Sequence, residues 1–175
     1  MRHGTTVWNE KGLTQGRSQN RLSKCGISLV KCRSEEFKNI HFDLIISSPL
    51  MRTMQTANII NKYHSVKIVK DERIIEINQG VFTGRHKDSL SDEEKKLKFA
   101  RSKECGMETF QDVYVRLKGF AEDIKSKYSD IDVFIVTHNA CASMLEDIFS
   151  NVKTDFGNYK NLSKFGNAEV KCFDI

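Results

Sequence analysis

Three short clusters in this sequence place a histidine or an arginine where a chain turn is expected. They are Arg2-His3-Gly4, Ser47-Ser48-Pro49-Leu50-Met51-Arg52 and Thr137-His138-Asn139. A carboxylate, Glu76, lies between the second and the third. A neutral imidazole is a nucleophile, a guanidinium matches phosphate oxygens in pairs, and a carboxylic acid can protonate a departing alkoxide. Brought together, these residue types suit the handling of a multiply charged anion. Taken singly they have plainer readings: Arg52 as an exposed surface arginine, His138 as a satisfied structural histidine, Glu76 as a loop carboxylate. Neither His-x-His nor His-Glu-x-x-His occurs, so the histidine spacing does not point to a metal.

The elements that would have to bring them together can be read from periodicity. Residues 43–48 and 133–137 are short apolar runs rich in β-branched residues and are predicted to be buried parallel strands. A third strand is predicted at 67–69, and a fourth at 168–173, with Val170 and Cys172 facing the core. Leu22, Leu29, Val30 and Phe37 mark a helix after a Ser23 N-cap, and 49–62 reads as another with Met51, Met54, Ile59 and Ile60 inward. After Thr109, Phe110, Val113, Leu117, Phe120 and Ile124 recur at spacings of three and four, the stripe of an amphipathic helix. Alternating strands and helices imply an α/β sandwich with a mainly parallel sheet, in which ligands sit beyond the carboxyl ends of the strands. With the two apolar strands as neighbours, Arg52 and His138 meet at one rim. Ser48 as N-cap and Pro49 at the first helical position put Arg52 in the first turn of its helix, where a cation opposes the dipole by about 0.3 to 1 kcal/mol. A phosphate bound there would reverse that cost.

Composition narrows the class. The 175 residues, 39% hydrophobic and 29% charged, fit one ordinary globular domain, and no apolar run approaches the roughly 20 residues of a membrane span. Five cysteines form no Cys-x-x-Cys and follow no signal peptide, which reads as reduced thiols in a cytoplasmic protein. The net charge of +5 is diluted by 23 acidic residues and accompanied by no zinc-finger, helix-turn-helix or ribonucleoprotein signature, so neither nucleic acid nor membrane is expected as a partner.

The joint pattern is more specific than any of its parts. Arg2-His3-Gly4-Thr5-Thr6-x-Trp8-Asn9, Gln15-Gly16-Arg17-Ser18, Ser47-Ser48-Pro49-Leu50-x-Arg52-x-x-Gln55-Thr56-Ala57, Glu76-Ile77-Asn78-x-Gly80-x-x-x-Gly84-Arg85 and Val136-Thr137-His138 follow one another along the chain. In motif and order this resembles the histidine phosphatase (phosphoglycerate mutase-like) superfamily, over nearly the whole length. The resemblance implies a three-layer α/β/α sandwich forming a single domain over 1–175, with a small helical cap at about 86–106. It implies that His3 is the nucleophile, that Arg2, Arg52 and His138 surround the phosphate, and that Glu76 is the general acid. Asn9, Gln15 and Gly16 would form a second ring of substrate contacts, joined by Asn139, which stands where many members have a second glycine. Arg2, Arg52 and a protonated His138 would lower the pKa of His3.

The resemblance leads to the expectation of a metal-independent phosphatase of phosphate monoesters, without cofactor, acting on a small phosphorylated substrate as a monomer or homodimer. Sugar phosphates, phosphoglycerates, α-ribazole phosphate and phosphoproteins all stay open. A mutase-type phosphoryl transfer and a non-catalytic phosphate-binding module are the alternatives. Ser91 and Glu94 form a capping-box pattern at the start of the cap, where Lys95, Lys96, Lys98, Arg101 and Lys103 either select acidic substrates or form a solvated face. The family also places a strand immediately before Arg-His-Gly, whereas Met1 alone precedes it here. The expectation is that the first central strand is missing through an internal methionine taken as the start. Unpaired sheet edges would then leave the chain as written poorly soluble and weakly active.

Overall fold

The computed structural model describes residues 1–152 and 164–175. Among them, three parallel strands form a sheet in the order β2-β1-β3: β1 is Leu44–Ser47, β2 is Lys67–Lys70 and β3 is Val133–Val136. Leu44 lies opposite both Lys67 and Val133, and Ser47 opposite both Lys70 and Val136, so the strands end level with one another. Strand β1 is central and buried throughout. Its pleat sends side chains alternately to two apolar layers, as period two requires. Leu44 and Ile46 enter one with α5 (Phe110–Lys127) and α6 (Asn139–Phe149), and Ile45 enters the other with α2 (Lys24–Phe37) and α3 (Met51–Ile60). The three-layer sandwich follows from this alternation.

Helix α2 starts at Ser23, whose hydroxyl accepts the Gly26 N–H. In α5 the buried stripe is Val113, Leu117, Phe120, Ala121 and Ile124, and each large member contributes about 1.5 to 3 kcal/mol by leaving water. Helix α4 (Asp92–Ala100) opens on a reciprocal Ser91–Glu94 capping box. Helices α1 (Val7–Glu10) and α6 are additions to the sequence reading. Helix α1 is a single turn held by a Thr6–Asn9 capping box.

Two elements differ from expectation. Helix α3 begins at Met51 after Leu50, not at Pro49 after a Ser48 cap. The Ser48 N–H donates to Val136 O and so prolongs the sheet by one residue, and its hydroxyl lies against His138. The predicted strand at 168–173 is not formed. Ala168 adopts a left-handed φ of 58°, and among the described residues the backbone bonds from this segment to the sheet side run only to Arg2 and His3, as Arg2 N–H to Glu169 O and Ala168 N–H to His3 O. Met1–His3 lies between this segment and the end of β3, with a parallel bridge from Arg2 to Thr137.

Candidate active site

The level ends of β1 and β3 set the positions of the first group of side chains. Just past them, His3 N–H donates to Thr137 O and Thr137 N–H to Met1 O, which fixes the start of the chain beside His138. The two imidazole rings stand edge to face with centroids 5.3 Å apart. Helix α2 backs this arrangement through Gly26, where a Cβ would fall 1.9 Å from Thr5 O, so only glycine lets the chain after His3 pass.

Within the pocket each donor has a defined direction. His3 Nδ1 lies 2.7 Å from Gly4 O, a bond that requires the proton on Nδ1. The free lone pair is therefore on Nε2, which accepts Arg52 Nε–H at 3.2 Å. Arg52 Nη1 and Nη2 each donate at 2.8 Å, to Ser18 O and Gly16 O. This guanidinium is 0% exposed, and no carboxylate of the described residues is within salt-bridge distance of it. Burying an unpaired charge is expensive, and a site that does so is built for an anion. His138, also 0% exposed, places Nε2 2.7 Å from Ser48 Oγ, while its buried Nδ1 has no partner among the described residues.

Electrostatics follow from this packing. Burial, reinforced by Arg52, holds His3 well below the usual imidazole range, and His138 is depressed by the same two causes. Both rings are neutral at physiological pH. Burial therefore replaces cation repulsion as the leading cause, and the expected protonated His138 is corrected to a neutral one. Arg52 is brought down to about 10, mainly by burial, and stays charged.

Glu76 approaches from a loop. Its Oε1 accepts the Ile77 N–H, its carbonyl accepts Arg17 Nε–H at 3.1 Å, and burial raises its pKa against the pull of Arg52. Arg52, Arg2 and Arg116 each act on this carboxylate in favour of its charged form.

The other sequence-derived candidates take varied places. Arg2 Nη1 donates to Phe165 O at 2.6 Å, close enough to His3 and His138 to act on both. Gly16 lends its carbonyl to Arg52, and the side-chain oxygens of Asn9 and Gln15 accept from the Thr6 hydroxyl. Asn139 starts α6 and uses Oδ1 to accept Phe165 N–H, so it fastens the segment that holds Arg2. The basic face expected on the cap is broken up: Arg101 is buried, Lys98 reaches Thr14 and Lys95 pairs with Asp92. In the sequence Ser48 reads as a helix cap, and Arg17 and Glu108 read only as members of the motif pattern; their places here follow from their companions in space.

An α/β sandwich with an unpaired buried guanidinium at the carboxyl rim of its sheet is the frame of a phosphoanion-handling protein. The chain belongs to the histidine phosphatase superfamily (branch 1), whose profile matches residues 1–175. It is 32% identical over 149 residues to phosphoserine phosphatase 1 of Hydrogenobacter thermophilus, covering 79% of this chain and 68% of that one. It is 40% identical over 95 residues to a probable phosphoglycerate mutase of Yersinia pestis, covering 54% of this chain and 44% of that one. The chain thus spans about two thirds of the first relative's length and under half of the second's. In fold it is similar to a mycobacterial glucosyl-3-phosphoglycerate phosphatase solved with VO3, at a TM-score of 0.82 and 20% identity over 95% of this chain and 85% of that one. No described helix is long and apolar enough to cross a membrane.

Proposed function

We propose that this chain hydrolyses phosphate monoesters through a phosphohistidine on His3 Nε2. The observation that carries the reading is the Arg52 guanidinium, fully buried against His3 Nε2 with carbonyls as its only other partners among the described residues. A phosphoryl group entering the pocket would supply the missing counter-charge and meet the lone pair at the same point.

In the first step His3 Nε2 attacks phosphorus, the P–O ester bond breaks, and Glu76 gives its proton to the departing oxygen. Arg52 and Arg2 face the phosphoryl oxygens as charge redistributes, and so preorganise the site electrostatically. His138 serves as a neutral donor: we assign the Ser48 O–H as donor to its Nε2, which puts the imidazole proton on Nδ1, the atom left without a protein partner among the described residues. In the second step Glu76 takes a proton from water as that oxygen bonds to phosphorus and the P–N bond breaks. Inorganic phosphate leaves, with Glu76 again protonated and His3 neutral. Arginines supply the charge in this scheme, with no step assigned to a metal.

Small phosphorylated hydroxy or amino acids are the first substrates to try, because the chain's relatives include a phosphoserine phosphatase and a probable phosphoglycerate mutase. The reduced cysteines fit a cytoplasmic setting. Hydrolysis of phosphoserine and of an aryl phosphate by the wild type and His3→Ala, with and without chelator, tests the proposal. Turnover that needs His3 and survives the chelator supports it. A His3→Ala variant that stays active, or a wild type silenced by chelator, contradicts it, and transfer to an added hydroxy acid in place of water would favour the mutase chemistry.

A further inference from the structure

Outside the phosphate pocket, the densest polar cluster converges on Glu108, the residue just before the α5 cap. Its carboxylate is 13% exposed and takes Arg116 in a two-point grip, Nε to Oε1 at 2.9 Å and Nη2 to Oε2 at 3.2 Å. Oε2 also accepts Arg17 Nη2–H at 3.0 Å and the Asn78 N–H at 3.1 Å. The main chain of Glu108 adds two bonds, N–H to Asn78 O at 3.2 Å and carbonyl from Arg101 Nε at 3.0 Å. Arg101, buried in a left-handed conformation at the end of α4, also donates to Asn78 O at 2.7 Å. Burial works against the charge on Glu108, but its bonds with Arg116 and Asn78 outweigh that and keep it ionised.

The common target of these bonds is the loop carrying Glu76. Arg17 is a bridge: its Nη2 donates to Glu108 and its Nε to the Glu76 carbonyl. Asn78, two residues further on, is held at both its N–H and its carbonyl. Glu76 is therefore anchored at its own carbonyl and, two residues further on, at Asn78, by way of one carboxylate. General acid catalysis needs the acid within hydrogen-bond reach of the leaving oxygen, and a side chain on a loop achieves this only if its backbone is fixed.

We infer that Glu108 is the positioning residue for Glu76, acting through Asn78 and the Arg17 bridge. The inference rests on the proposed role of Glu76 as proton donor, and the two can be tested apart. Leaving-group dependence is the readout. An alkyl phosphate such as phosphoserine needs a proton on its departing oxygen, whereas para-nitrophenyl phosphate releases a stable phenolate and does not. A general loss of structure would lower kcat/KM on both.

Glu76→Gln, Glu108→Gln and Arg17→Gln are compared on the two substrates, with circular dichroism as the check on folding. Glu76→Gln is expected to lower kcat/KM on phosphoserine by about a hundredfold and on the aryl ester by only about twofold, the size general acid catalysis ordinarily has. Glu108→Gln should show the same selectivity at about tenfold or more, because a displaced acid is partly lost. Should Glu108→Gln fail to fold, Arg17→Gln carries the test, since its side chain is 39% exposed and its removal leaves the Glu108–Arg116 pair intact. Equal losses on both substrates, or no loss, in Glu108→Gln, or in Arg17→Gln where it stands in, overturn the inference. If Glu76→Gln is itself unselective, the reading of Glu76 falls and the inference falls with it.

Discussion

The two ends of the site are built differently. His138 lies just past the end of β3, His3 is hydrogen-bonded to Thr137 beside it, and Arg52 is in the first turn of α3, all three buried. Glu76 is on a loop after β2, and side chains from four separate segments, Arg17, Arg101, Glu108 and Arg116, hold that loop in place. The phosphate end borrows its precision from backbone pairing that the fold requires anyway. The proposed leaving-group end depends instead on charged side chains that grip its loop. One consequence is that damage at the first end should abolish chemistry on every phosphate ester, while damage at the second should depend on the ester.

His3→Ala should reduce turnover of all esters to background, measured as phosphate release. Arg52→Lys keeps a charge but loses the three-way fork to His3, Gly16 and Ser18, and kcat/KM should fall about a hundredfold or more on both ester types, as when a preorganised donor is removed. A selective loss there would erase the distinction between the two ends. Ser48→Ala removes the partner of His138 Nε2 and should cost about tenfold on both esters, the worth of one buried hydrogen bond.

The last effect expected is on stability and leaves the chemistry aside. His3 and His138 are neutral in the fold because their pKa values are depressed, so the unfolded chain binds more protons once the pH drops below its own imidazole value of about 6.5. Stability should therefore be full above that pH and decline below it, by at most about 2.7 kcal/mol per pH unit from two protons. Glu76, whose pKa is raised, opposes the decline over part of the same range. Urea denaturation at a series of pH values checks this, and the slope should drop in His138→Gln.

The same division explains what is legible in the sequence. Strands β1 and β3 are legible because a buried parallel strand is a run of apolar β-branched residues, and the rim residues come directly after such runs. Helix α5 is legible from its stripe. The start of α3 is not, because Ser48 looks like a cap by residue type, and only the spatial neighbour His138 shows where its hydroxyl goes. Residues 168–173 read as a strand by residue type, and the left-handed backbone of Ala168 leaves no mark in that pattern. Asn139 groups with the substrate contacts by its position after His138, whereas its side chain holds Phe165. Glu108 and Arg17, ninety-one positions apart, meet only in the folded chain.

The central claim is that His3 carries the phosphoryl group. Wild-type protein mixed briefly with labelled phosphoserine and quenched in alkali should retain phosphate that is stable to alkali, lost in acid and absent from His3→Ala. Active enzyme that yields no such adduct under rapid quench, or an adduct that persists in His3→Ala, would contradict it.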